Sequence, residues 1–212
     1  EAVINAAGYT DVDKAETEEE LATIINASSP KAMAQACATL NIPLVHLSTD
    51  YVFDGTGDEP WQPKDATKPI NAYGRSKKKG EDGVRSVGSA YCILRTSWII
   101  SAHGVNFVKT MLNLSDKRDT LSVVTDQIGG PTPAKDIAKA CLRIIAQLKQ
   151  DPSKSGTYHF SGAEDVSWAN LATEIFNQTG RYVNVIPIPT CDYPTPAVRP
   201  LNSRLNCSST GE

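Results

Sequence analysis

Pro43-Leu44-Val45-His46-Leu47-Ser48-Thr49-Asp50 is the stretch that decides the fold. A proline ends what precedes it, an apolar run follows, and hydroxyl and acid side chains close it. Residues 44–48 read as a buried strand. Outward from it, strands and helices alternate. Upstream, Ala2-Val3-Ile4 is a short strand that runs into Asn5-Ala6-Ala7-Gly8. The pattern predicts a helix over 17–27, then a second through about residue 40, with Ser29 as its N-cap and Pro30 at its first position. Downstream, 54–69 is a long Gly-, Pro- and Asp-rich loop, a length that is often functional. Helices are expected over 72–87 and 106–114, and strands over 91–95 and 121–124. Thr132-Pro133 opens a helix with Ile137, Cys141, Ile144, Ile145 and Leu148 at helical spacing. A strand over 157–161 follows. Ser167 caps a helix to about residue 179, closed by Gly180, and a strand over 183–188 precedes a Pro-rich tail.

This alternation predicts an α/β, Rossmann-like, mostly parallel sheet with helices on both faces. Residues 1–156 form the sheet domain, and 157–212 a small α/β lobe interleaved with it. The chain has 212 residues, of which 40% are hydrophobic and 21% charged, with a net charge of −3. That balance argues against a general nucleic-acid binder, which carries a basic face. No apolar run approaches the ~20 residues of a membrane helix, and no signal peptide is visible. The five cysteines are scattered without a C-x-x-C pair, which fits reduced thiols in the cytoplasm better than a disulfide frame or zinc site. His46, His103 and His159 lie far apart and read as core or surface residues, so no metal site is expected.

The chemistry centres on Tyr73-Gly74-Arg75-Ser76-Lys77. Tyr and Lys four apart share a helix face. A phenol, with a pKa near ~10, is a reluctant acid-base group at neutral pH. A nearby ammonium lowers that pKa, so Lys77 is expected to acidify Tyr73. Tyr73 then protonates a carbonyl oxygen while hydride reaches its carbon. By itself Y-x-x-x-K is usually a solvated pair. Ser48-Thr49-Asp50 adds context, because ligands bind at the carboxyl ends of strands in open α/β sheets.

Further stretches carry a resemblance. They are Asn5-Ala6-Ala7-Gly8-Tyr9-Thr10-Asp11-Val12-Asp13-Lys14-Ala15-Glu16, Leu47-Ser48-Thr49-Asp50-Tyr51-Val52-Phe53-Asp54-Gly55 and Leu94-Arg95-Thr96-Ser97-Trp98. Asn106-Phe107-Val108-Lys109-Thr110-Met111, Asp126-Gln127-Ile128-Gly129-Gly130-Pro131-Thr132 and Arg199-Pro200-Leu201-Asn202-Ser203-Arg204-Leu205-Asn206 complete the set. Together, in this order, they resemble the dTDP-4-dehydrorhamnose reductase family of the extended short-chain dehydrogenase/reductase superfamily. The resemblance implies reduction of a dTDP-linked 4-keto sugar by NADPH or NADH, for polysaccharide precursors. It makes Tyr73 the general acid, Lys77 its electrostatic and ribose partner, and Thr49 the third member of a triad. It lays the cofactor along Ala7, Gly8, Tyr9 and Thr10. Thr49, Asp50, Tyr51 and Trp98 line the sugar site, and Arg199 and Asn202 belong to the tail closing the substrate lobe. It also suggests a homodimer, and Mg²⁺ with no residue to hold it.

Blander roles compete. Trp98 suits a core, and one of Tyr51 and Phe53 suits packing only. Asp126-Gln127 suits a turn. Lys78 and Lys79 suit a solvated face. The acidic stretch Asp11, Asp13, Glu16 and Glu18 to Glu20 suits a solvated helix start. No G-x-G-x-x-G or G-x-x-G-x-x-G occurs; the resemblance implies that this loop precedes Glu1, so that the chain is a fragment. Two other functions share the superfamily: a regulatory subunit of methionine adenosyltransferase, which binds NADP without sugar turnover, and a sugar-nucleotide epimerase or dehydratase. Dehydratases show an acidic pair after the strand-end hydroxyl, where this chain has Asp50-Tyr51.

Overall fold

The computed structural model describes residues 1–210. In chain order the elements are β1 (Val3–Asn5), α1 (Glu19–Thr23), α2 (Ser29–Leu40), β2 (Leu44–Thr49), α3 (Ala72–Arg85), β3 (Tyr91–Thr96) and β4 (Ile99–Ile100). There follow α4 (Phe107–Ser115), β5 (Thr120–Val124), β6 (Ile128–Gly129), β7 (Thr132–Pro133) and α5 (Ala134–Gln150). The chain continues with β8 (Gly156–His159), β9 (Val166–Ser167), α6 (Trp168–Thr179), β10 (Asn184–Ile188) and β11 (Asn202–Ser203).

The large sheet has the order β1-β2-β3-β8, and every pairing in it is parallel. Its strands alternate in the face they cover, as a period of two requires. Leu44 and Ile93 pack with Ala34 and Cys37 of α2 and Val84 of α3 on one face. Val45, Cys92 and Leu94 pack with Ile137, Ala140, Cys141 and Leu148 of α5 on the other. The expected sheet covered on both faces is therefore present. β1 is its edge strand, with Ile4 40% exposed.

A second core joins α4, α6, β5 and β10, centred on Met111, Leu121, Val123, Ala172 and Phe176. β10 pairs with β5 in parallel. This lobe takes chain from both before and after β8, and β8, from Gly156, lies in the large sheet. Ser167 caps α6 by accepting from the Asn170 amide, and Gly180 ends it at φ 65. α5 starts at Ala134, one step later than expected, because Thr132 and Pro133 pair with β4 first.

At Ser29-Pro30 the expectation holds in part: α2 starts at Ser29 with Pro30 in its first turn, but Ser29 is not an N-cap, because Ser28 before it is already helical and makes no capping bond. The α1 helix passes through a π turn, Ile24–Ser28, directly into α2, and the Ser29 hydroxyl bonds back to the Ile24 carbonyl. Pro30 has no N–H to offer the carbonyl of Asn26, four residues back, and the widened turn accommodates that loss. The Asn26 carbonyl lies against Gly80 of α3, where an added Cβ would sit 2.0 Å from it. The close crossing of the two helices therefore requires glycine at position 80.

α3 is fixed to the sheet by a buried ion pair. Glu81 and Arg95 are 0% and 1% exposed. Arg95 donates from Nε and Nη2 to the two Glu81 carboxylate oxygens at 2.8 and 2.7 Å. The Ser48 hydroxyl and Arg85 add bonds of 2.6 Å each. Burial alone would raise the Glu81 pKa, but the bonds from Arg95 and Ser48 outweigh it and bring it to about 2. Glu81 is thus ionised in the folded protein, and its contribution is complete above its ordinary value of 4.5 and lost as pH falls toward 2. Glu81→Gln, which leaves Arg95 buried without a counter-charge, is expected to cost about 3 kcal/mol in urea unfolding at pH 7. It should also flatten the loss of stability between pH 4.5 and 2.

Candidate active site

The carboxyl end of β2 presents three polar side chains, each with a different task. Ser48 is engaged by Glu81, so it is part of the helix anchor. Thr49 points the other way and lies against the Tyr73 phenol. Its hydroxyl donates to Asp50 Oδ1 at 3.0 Å and accepts from the Tyr51 amide at 3.2 Å. Asp50 is 3% exposed, and burial pushes its carboxyl up to about 6.

Tyr73 stands in the first turn of α3, capped by Asn71. Its ring meets Tyr51 edge-on at 5.6 Å. Burial raises its pKa to about 12; the Thr49 hydroxyl pulls down and the Asp50 charge adds a smaller rise. The expected acidification by Lys77 is not found. Lys77 is buried, and its ammonium donates to the Leu47 carbonyl at 2.6 Å. Burial brings Lys77 down to about 8, with the Glu81 charge opposing. Lys78 pairs with Asp82 on the outer face, as the register required.

The loop after β1 lies beside this helix. Ala7, Gly8 and Thr10 are exposed, and the Ala7 amide bonds to Asn5 Oδ1. Tyr9 is held by Asn26, whose Oδ1 accepts from the Tyr9 amide at 2.8 Å and whose Nδ2 donates to the Tyr9 carbonyl at 3.0 Å. The same Nδ2 donates to Ser76 Oγ at 2.9 Å. The acidic stretch is not simply solvated. Asp13 forms a two-pronged pair with Arg199, Glu16 accepts from the Ala72 amide, and Glu19 pairs with Arg75.

Thr10, Thr49, Asp50, Tyr51, Tyr73 and Trp98 share a cleft of about 470 Å³. Trp98 has φ 45, a left-handed conformation that a tryptophan rarely adopts. It stacks on Trp168 with centroids 3.5 Å apart, over Gly129, where a Cβ would meet the indole at 2.8 Å. Trp168 and Tyr51 also line a second cavity of about 540 Å³ against β5, together with Gln127 and Arg199. Tyr51 therefore faces the cleft, and Phe53 is the packing residue, stacked on Trp61 at 4.6 Å. Asp126 ties the turn to Thr190.

Comparison with known proteins decides the family. The model of the RmlD substrate binding domain matches residues 1–212. The dTDP-4-dehydrorhamnose reductase of Sinorhizobium fredii is 46% identical, over 97% of this chain and 71% of its own length. That of Salmonella typhimurium is 43% identical, over 96% of this chain and 70% of its own. The crystal structure of the Bacillus anthracis enzyme in complex with NADP superposes with TM-score 0.92 at 39% identity, covering 98% of this chain and 72% of that one.

This chain belongs to the dTDP-4-dehydrorhamnose reductase family.

In this reductase-family chain the structure brings the sequence-expected Tyr73 and Thr49 together, and Asn26, Ser76, Glu81 and Trp168 beside them were not singled out by the sequence. Asn26 sits mid-helix, where nothing local marks it; the only hint was Pro30 four residues on. Asn26→Ala strands the Tyr9 amide and carbonyl and removes one of two partners of the Ser76 hydroxyl, which keeps its bond to the Tyr73 carbonyl. It is expected to cost about 2 kcal/mol and to abolish amide-exchange protection at Tyr9 while that of β3 persists, checked by hydrogen exchange and NMR.

Proposed function

We propose that this protein reduces the C4 ketone of dTDP-4-dehydro-6-deoxy-L-mannose with NADPH or NADH, giving dTDP-L-rhamnose. The observation that carries the reading is the meeting of Tyr73 and Thr49 at the end of β2, inside a cleft walled by Tyr51 and Trp98. The exposed residues Ala7, Gly8 and Thr10 at the end of β1, with Tyr9 fixed between them by Asn26, fit a dinucleotide laid along the strand ends. Lys77 has three N–H donors and uses one on Leu47, which leaves others for a ribose hydroxyl. When bound, the dinucleotide supplies the hydride to the sugar C4.

Tyr73 is the general acid. Its raised pKa keeps the phenol fully protonated at neutral pH, the state that reduction requires. Lys77, at about 8 and mostly charged, lies one helical turn away, where its role is to hold the cofactor ribose. Thr49 positions the ketone oxygen, and Asp50 and Tyr51 meet the sugar. Trp98, stacked on Trp168, offers an aromatic face where the sugar cleft passes into the second cavity, and the nucleotide occupies that cavity. The β5, α6 and β10 layer, with residues 157–212 supplying most of it, is the substrate lobe. Among the described residues no cluster of acids, histidines and cysteines is placed to hold a metal. Among the described residues no helix is long and apolar enough to cross a membrane. The scattered, unpaired cysteines support a cytoplasmic setting. A homodimer is the proposed assembly, on the family resemblance.

Similarity to named reductases at 46% and 43% identity favours this reading over the adenosyltransferase subunit. Similarity to a dTDP-glucose 4,6-dehydratase, at 17% identity, shows the fold alone. The test is substrate-dependent loss of nicotinamide absorbance, with the 4-keto sugar generated in situ. Tyr73→Phe is expected to lower kcat by about 100-fold or more with folding intact. Wild-type turnover in that variant would refute the role of Tyr73.

A further inference from the structure

The one proton of the Thr49 hydroxyl is already in use. A threonine hydroxyl has one proton to give and two lone pairs. The proton goes to Asp50 Oδ1 and one lone pair takes the Tyr51 amide, while the Tyr73 phenol lies against the same hydroxyl. While Asp50 is ionised, a ketone oxygen entering the cleft finds no donor on Thr49. Asp50 is 3% exposed, it lines the cleft, and its Oδ2 has no hydrogen-bond partner. The groups facing it are the Thr49 and Ser203 hydroxyls and the Tyr51 and Tyr73 phenols. Arg199 and Asp13, behind Tyr51, pair with each other. Lys77 is turned to the Leu47 carbonyl. Asp50 is therefore a buried carboxyl without a cationic partner, and such a group holds a proton readily.

We propose that Asp50 is the proton reservoir of this site: as the acid it donates to Thr49 Oγ1, frees the Thr49 proton for the ketone oxygen, and refills Tyr73 through Thr49 after transfer. The proposal rests on the reductase reading above. With Asp50 protonated, Thr49 accepts from Asp50 and from the Tyr51 amide, which fills both lone pairs. The Tyr73 O–H must then turn to the ketone, and so does the Thr49 O–H. As hydride reaches the ketone carbon, the Tyr73 O–H bond breaks and the alcohol O–H forms. The phenolate takes the Thr49 proton, and Thr49 takes that of Asp50. Asp50 is left as a carboxylate accepting from Thr49, the arrangement seen in the structure. Water in the open cleft then returns a proton to Asp50.

Asp50 acts through Thr49 and Tyr73, so it is a positioning and relay residue, and its signature is a pH profile. The raised Asp50 pKa, about 6, places a decline of kcat above that pH in the wild type. Asp50→Asn keeps a permanent N–H donor to Thr49 but has no proton to release. Its steady-state kcat at neutral pH is expected at least about tenfold below wild type, and its rate free of the pH decline. A decline that persists in Asp50→Asn, or an effect confined to the sugar KM, overturns the relay. Should that variant fail to fold, wild-type rates in mixtures of light and heavy water decide. A bowed dependence, from several protons in flight, supports the relay, and a straight line overturns it. Absence of nicotinamide consumption by the wild type would instead refute the reductase reading on which the relay rests.

Discussion

Two opposite charges buried together, Glu81 on α3 and Arg95 on β3, hold the geometry of this protein. Neither is stable alone in the interior, because burying an unpaired charge costs several kcal/mol. Each therefore constrains the other, and the pair admits one setting of the helix against the sheet. Ser48, the last residue but one of β2, bonds to the same carboxylate. The anchor thus joins two strands and a helix at the level of the strand ends. Two turns up the same helix, Tyr73 is delivered to Thr49, the neighbour of Ser48.

The chemistry follows from this placement. The anchor engages Ser48 and so leaves Thr49 as the hydroxyl free to face the phenol. Burial then sorts the ionisable groups. Tyr73 is raised and stays protonated, Asp50 is raised toward neutrality, and Lys77 is lowered yet mostly charged. A second set of bonds, from Asn26 to Tyr9 and Ser76, sets the loop after β1 beside the same helix. The Asp13–Arg199 pair joins that loop to the tail that leaves the substrate lobe. The site is therefore built where the β1 loop, the start of α3 and the tail meet.

Much of this was legible in the sequence, and the limits have physical reasons. Apolar runs such as residues 44–47 and the spacing of Ile137, Cys141 and Leu148 report burial directly, so the strands and helices were readable. Ser167 and Gly180 bounded α6 because caps are local chemistry. Ser29-Pro30 marked the start of α2, but not as a cap, because α1 runs into α2 through a π turn packed closely on Gly80. Lys77 had the right register, yet its ammonium found a carbonyl on the sheet, which helical spacing cannot show. Glu81 and Arg95 look like ordinary surface charges until the fold brings them together. Trp168 follows a capping serine and reads as a helix start, and only the left-handed backbone of Trp98 makes it half of a stacked pair. The substrate lobe is drawn from distant stretches, since β5 pairs with β10 and not with a neighbour in sequence.

The central claim is that hydride is delivered to the sugar carbon whose oxygen lies between Tyr73 and Thr49. The most direct measurement supplies the purified protein with reduced nicotinamide dinucleotide deuterated at its transferable position, and with the 4-keto sugar nucleotide. NMR then locates the label in the product. The account predicts one deuterium at C4 of a dTDP-6-deoxy sugar with the rhamnose configuration, and none at the neighbouring carbons. Label at another carbon, or its retention in the dinucleotide while the sugar is nevertheless converted, would contradict it.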